Sequence, residues 1–178
     1  RRFYRKLRKH GIQVRGFIRI FLPILSRDYN SRNHRKVVVI DGRVGYMGGM
    51  NIAQRYAEGL KWGIWRDTHM RITGPAVSEL QTSFLIDWKF TKGDEPDLAP
   101  MYPYNPPCGN TLMQIVTGGP MDKWNVMMQA YMTAIASARH HAYLQSPYFI
   151  PPEPIMKTLQ NAALSGVDVR VMIPYRGD

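Results

Sequence analysis

Residues 37–51, VVVIDGRVGYMGGMN, constrain the fold more tightly than any other stretch of the chain. Val37 to Ile40 is an unbroken apolar run of β-branched residues, the composition of a strand buried on both faces. Asp41-Gly42 is a turn signal, and RVGYMGG returns with strand composition, so the stretch predicts a hairpin. DTHMRITG, residues 67–74, alternates like a further strand. Pro75 then opens a helix at its favoured early position, and AVSELQTSFLIDWKF, residues 76–90, carries the apolar spacing of a helix packed on a sheet.

The rest of the chain extends this pattern. RRFYRKLRKH reads as a basic helix stopped by Gly11, IQVRGFIRIFL has strand composition, and residues 22–33 form a polar connector. Asn51 in NIAQRYAEGL is placed to cap a short helix. Residues 92–110, rich in Pro, Gly and acids, read as a linker between an earlier unit, 1–91, and a later one, 111–178. The later unit reads as strand LMQIV, helix KWNVMMQAYMTAIASAR, strand HAYLQS, helix EPIMKTLQNAALS and strand VDVRVMI. Strands alternating with helices predict an α/β fold with a mostly parallel sheet.

One internal similarity points to duplication. GIQVRGFI at 11–18 and GVDVRVMI at 166–173 share Gly, a β-branched residue, Val-Arg and a final Ile, each after a helix. If the two mark equivalent places in two halves, the counterpart of His34 falls at about residue 189, past the last residue of this chain. The absent initial Met, and an end at PYRGD directly after a strand, point the same way, to a piece of a longer protein.

Charge narrows the partners. Residues 1–43 hold 13 Lys and Arg against Asp28 and Asp41, which accounts for the whole formal charge of +11; the remainder is balanced. A localised cationic patch suits phosphate, on a lipid headgroup, a membrane surface or a nucleic acid. The basic N-terminal helix fits a solvated face and an anionic lipid surface equally well. Cys108 is the sole cysteine, so no internal disulfide forms. The best apolar stretch, FIRIFLPIL at 17–25, is too short to span a bilayer and carries Arg19 and Pro23. No secretory leader pattern is present.

The chemistry concentrates before and after the hairpin. On a strand His34 and Lys36 share a face, and an imidazole beside an ammonium suits attack on phosphorus while the cation holds a phosphate oxygen. Asn51 can donate to the same oxygens, and Gly48 and Gly49 leave room for the phosphate to approach. A plain alternative reads His34 as a loop histidine, Lys36 as a solvated edge residue and the glycines as turn residues. His140 and His141 are adjacent and point in different directions, and His69 stands alone on its strand, so no metal site is expected. Trp62, Trp65, Trp88 and Trp124 are read as core or groove wall.

The longer pattern, His34, one residue, Lys36, four residues, Asp41, six residues, then Gly48-Gly49-x-Asn51, resembles the signature motif of the phospholipase D superfamily. NSRNHRKVVVIDGRVGYMGGMNIAQRY, WRDTHMRITGPAVSELQTSFLIDW and YLQSPYFIPPEPIMKTLQNAALSGVDVRVMIPY are similar to bacterial cardiolipin synthases. The resemblance implies an α/β fold of the phospholipase D type, an α-β-α sandwich in duplicated halves, both incomplete here. It implies catalysis by two such motifs facing each other, without metal or cofactor. One histidine attacks the phosphodiester to form a phosphohistidine and the other protonates the leaving alcohol.

Carried over by position, His34 is the histidine of the first motif, Lys36 and Asn51 are its phosphate ligands, and Asp41 is its aspartate, as much a loop support as a catalytic group. Gly49 stands where relatives that hydrolyse often have Ser. Asp67 matches an acidic residue that hydrogen-bonds the far nitrogen of the nucleophile; pairing with Arg66 or Arg71 is the structural alternative. The implied reaction moves a phosphatidyl group between two phosphatidylglycerol molecules. The implied partners are phosphatidylglycerol, an anionic membrane surface and a second catalytic half in cis, with no nucleic acid expected, and the implied setting is the cytoplasmic face of the cell membrane. Two rivals remain open: a hydrolytic phosphodiesterase of the same superfamily, and an inactive protein that binds anionic lipid.

Overall fold

The computed structural model describes residues 2–17, 33–59, 63, 66–119 and 122–175. The chain is a mixture of helices and small sheets and divides into two compact units, Arg1–Ile115 and Val116–Asp178. The connector at 22–32, the apolar stretch 18–25, Trp62 and Trp65 lie outside the described residues.

The first unit is built on the expected hairpin. β1 (Val37–Ile40) and β2 (Val44–Gly48) pair antiparallel with Ile40 opposite Val44 and Val37 opposite Met47. Asp41 and Gly42 both have positive φ, 53° and 63°, and Arg43 N–H donates to Ile40 O at 2.9 Å, so Asp41 and Gly42 are the central residues of a turn inside the three-residue loop between the paired Ile40 and Val44. β3 (His69–Thr73) adds to β2, again antiparallel, with Gly48 opposite His69. This sheet is therefore an antiparallel meander rather than the parallel sheet that alternation predicts. The Asp-Gly turn brings β2 back beside β1 within three residues, too few for a crossover.

α3 (Ala76–Phe90) follows Gly74 and Pro75 and lies on one face of the sheet. Val77, Leu80 and Ile72 are fully or almost fully buried, and Val37, Val39, Met47 and Ala76 pack against them. Gly45 lets the helix come close, since a Cβ there would stand 2.6 Å from Leu80 Cδ1. Val38 and Ile40, on the other face of β1, are 40% and 48% exposed. The run is thus buried on one face only among the described residues.

The stretch expected to be a linker packs back on the hairpin. Gly42 is buried, and a Cβ on it would collide with Met101 O and meet Pro103 Cδ at 2.6 Å; Asn105 Nδ2 donates to Gly42 O at 2.7 Å. Tyr102 OH lies 3.0 Å from Thr82 Oγ1, and Cys108 Sγ 3.3 Å from Thr73 Oγ1. The strand expected over 112–116 does not form: Ile115 inserts its side chain against the core of the first unit, and no neighbouring strand among the described residues offers a ladder.

Other local departures have similar causes. The basic helix forms as α1 (Arg2–Lys9), with Gly11 at φ 79° beyond it, but residues 12–16 form no strand; Val14 O is taken by the Arg8 guanidinium at 2.7 Å. α2 is short (Gln54–Glu58) and its cap position is Ala53, while Asn51 O accepts from Ala53 N–H at 2.9 Å. Asn51 therefore does not cap it.

The second unit follows its expected elements closely. α4 (Val126–Ala136) starts at Asn125, whose side chain accepts from Met128 N–H at 3.0 Å. β4 (His141–Gln145), α5 (Glu153–Leu164) and β5 (Asp168–Met172) form a parallel crossover with His141 opposite Asp168. Ile135, Leu159, Ala162 and Val167 make its core. Trp124 is 68% exposed and so is not part of that core.

Candidate active site

Residues 33–36 lead into β1 without a ladder of their own, yet their side chains are sorted. Val37 and Val39 pack toward α3, and Asn33 and Arg35, the preceding alternate positions, also reach that helix: both hydrogen-bond Asp87. His34 and Lys36 occupy the other parity, shared with the exposed Val38 and Ile40. The His34 imidazole is exposed and makes no hydrogen bond or ion pair among the described residues. Lys36 is half-buried, and its ammonium donates to His34 O at 2.6 Å. An exposed, unpartnered imidazole next to a cation is open to a phosphoryl group from solvent.

The glycines bring a carboxylate to the same end of the sheet. A Cβ on Gly48 would collide with Thr68 O and lie 2.8 Å from His69 Nδ1; a Cβ on Gly49 would collide with Asp67 Oδ1. Gly49 N–H donates to Thr68 O at 3.1 Å, which continues the β2–β3 contact one residue past the ladder. Extending both registers by the same count puts His34, Met50 and Asp67 in one row and Lys36, Gly48 and His69 in the next. Asp67 is exposed, its Oδ1 accepts from Thr68 N–H at 2.7 Å, and neither Arg66 nor Arg71 pairs with it among the described residues. His69 Nδ1 is buried without a hydrogen-bond partner among the described residues.

Asn51 is half-buried and its Nδ2 donates to Tyr56 OH at 3.2 Å; that bond, above other causes, lowers the Tyr56 phenol from its ordinary pKa. Asp41 stands apart. It sits exposed on the turn, seven residues from His34 and at the other end of β1, on the order of 20 Å away for an extended strand. The structure thus brings His34, Lys36, Gly49 and Asp67 to one end of the sheet and leaves Asp41 at the opposite end. Asp87 and its two partners carry no motif signal. Their trace in the sequence is a carboxylate where α3's apolar stripe would place a fourth core residue. Among the described residues no group of three His, Cys, Asp or Glu could hold a metal ion. No described helix is long and apolar enough to cross a membrane.

No family model matches the chain. Curated proteins named cardiolipin synthase do match it. The one from Listeria monocytogenes serotype 4a is 44% identical over 179 residues, 99% of this chain and 37% of the relative. That of Listeria welshimeri is 45% identical over 180 residues, with 99% and 37% covered, and that of Geobacillus kaustophilus 44% over 181 residues, with 99% and 36% covered. The chain spans little more than a third of the length of these relatives. With the pattern from His34 to Asn51 inside a match that runs along practically the whole chain, this protein belongs to the phospholipase D superfamily as a homologue of the cardiolipin synthases.

Proposed function

We propose that the chain supplies one of the two histidines of a phosphatidyl-transfer site of the cardiolipin synthase type. Residues 1–91 are the later part of one catalytic half, 111–178 the early part of a second, and the counterpart of His34 lies in a further part of the second half. A ring nitrogen of one histidine forms a bond to the phosphorus of phosphatidylglycerol as the bond to the glycerol oxygen breaks. The other histidine gives that oxygen its proton. A hydroxyl of a second phosphatidylglycerol then attacks the phosphohistidine and returns its proton to the same partner, so the product is cardiolipin and glycerol.

Lys36 and Asn51 hold the non-bridging phosphate oxygens, which requires each to leave its present acceptor, His34 O and Tyr56 OH. Gly49 lets the Asp67 carboxylate approach, and Asp67 orients the imidazole. Asp41 serves the turn. α1, with five Lys and Arg among eight residues and exposed Phe3 and Tyr4, supports a setting on an anionic membrane surface.

The observation that carries this reading is 44% identity along 99% of the chain with the motif intact on the hairpin. The experiment that tests it supplies labelled phosphatidylglycerol in bilayers to the longer protein that contains this chain. Cardiolipin and free glycerol are expected, with little phosphatidic acid. Predominant phosphatidic acid would identify a hydrolase, and no product an inactive lipid binder.

A further inference from the structure

α3 presents Val77, Leu80 and Ser83 to the interior, and the next position on that stripe is Asp87. A carboxylate there needs partners, and both of those it finds flank His34. Arg35 Nη1 donates to Asp87 Oδ1 at 2.6 Å and to Oδ2 at 2.7 Å, and Asn33 Nδ2 donates to Oδ2 at 2.7 Å. Asn33 Oδ1 closes the loop by accepting from Arg35 N–H at 2.9 Å. The pair is shielded, with side-chain exposures of 33% for Arg35 and 17% for Asp87. Residues 33–36 have no ladder, and this cluster ties the alternate positions 33 and 35 to α3. Positions 33 and 35 anchored on the α3 side leave 34 and 36 on the open side.

We propose that Asp87 is a positioning residue: by holding Asn33 and Arg35 it turns His34 and Lys36 toward the phosphate. The chemical half of this statement rests on the reading of His34 as the phosphoryl-transfer histidine, and the geometric half does not.

The test uses this chain, with Asp87→Ala and Asp87→Asn, and Arg35→Gln as a variant that leaves α3 untouched. Hydrogen exchange reads the geometry. The Arg35 amide, protected by Asn33, should exchange at least about tenfold faster in Asp87→Ala and less so in Asp87→Asn, while the Arg43 amide, bonded to Ile40 O, keeps its rate. Bis(4-nitrophenyl) phosphate reads the chemistry. Its leaving group needs no acid, so a ring nitrogen of His34 can bond to phosphorus as one 4-nitrophenolate departs, in a burst that His34→Ala lacks. The burst rate at saturation should fall about tenfold in Asp87→Ala and Arg35→Gln, with the half-saturating concentration within about threefold. Unchanged exchange of the residue-35 amide in both Asp87→Ala and Arg35→Gln, or equal acceleration at positions 35 and 43, overturns the positioning role. A wild-type chain without a burst overturns the His34 reading alone, and the exchange result then decides the positioning role by itself.

Discussion

The two ends of the β1–β2 hairpin are held by different means. At the turn, backbone geometry suffices: Asp41 and Gly42 adopt positive φ, Arg43 closes the turn, and the 101–105 segment packs on Gly42. At the open end residues 33–36 form no ladder, and side chains do the work: Asp87 holds Asn33 and Arg35, Lys36 turns to His34 O, and Gly49 lies against Asp67. A single motif thus contains a part that makes the fold and a part that backbone pairing leaves open. The end to which we assign the reactive groups is the one not consumed by backbone pairing.

Substitutions separate the two ends. The largest effect on folding belongs to Gly42→Val: the branched side chain would occupy a positive φ and collide with Met101 O, so thermal unfolding should show a loss of roughly 2–4 kcal/mol. Gly49→Ala at the other end should reverse the pattern. Its Cβ displaces the Asp67 carboxylate, a movable group, so stability should change by less than about 1 kcal/mol. Phosphatidyl transfer in the longer protein should fall about tenfold to a hundredfold. A Gly49→Ala protein with full activity would detach Asp67 from the chemistry.

Asp41→Asn has a smaller effect still. Asn tolerates positive φ at least as well as Asp, so stability should hold within about 0.5 kcal/mol and turnover within about twofold. A severe loss of turnover would move Asp41 from the turn into the reaction.

The smallest effect lies in the second unit and gives the contrast a pH dimension. Arg170 first, then the Tyr143 hydroxyl, lowers the Asp168 carboxyl from its ordinary value. A depressed carboxylate contributes stability above its unfolded pKa and loses it as pH falls through the folded one. Asp168→Asn should therefore remove a small acid-side component from the unfolding of this unit, seen by hydrogen exchange of β4 and β5 below the ordinary carboxylate range.

Elements whose signal is local were legible in the sequence. The Asp41-Gly42 turn, the β3 alternation, the α3 stripe and the β4–α5–β5 crossover depend on composition and near neighbours, and they form as read. Residues 12–16 and 168–172 make the limit plain. They share most of a pattern, but the second has β4 as a parallel neighbour and becomes a strand, while the first has none among the described residues. Strand propensity is realised only through a partner. The same holds for 112–116, where Ile115 gains more from the core than from an unpaired extended segment. At the candidate site the motif named His34, Lys36, Asp41, Gly49 and Asn51, and the resemblance beyond it named Asp67. Asp87 escaped because its meaning lies in contacts 52 and 54 residues away in sequence.

The central claim, that the unladdered end of this hairpin carries the reactive histidine, is tested most directly by His34→Ala in the longer protein, with turnover and unfolding measured on the same preparation. His34 is exposed and without a partner among the described residues, so the account predicts an unchanged melting temperature. Transfer from phosphatidylglycerol should fall by at least about a thousandfold. Near-native turnover, or activity lost only in step with unfolding, would contradict it.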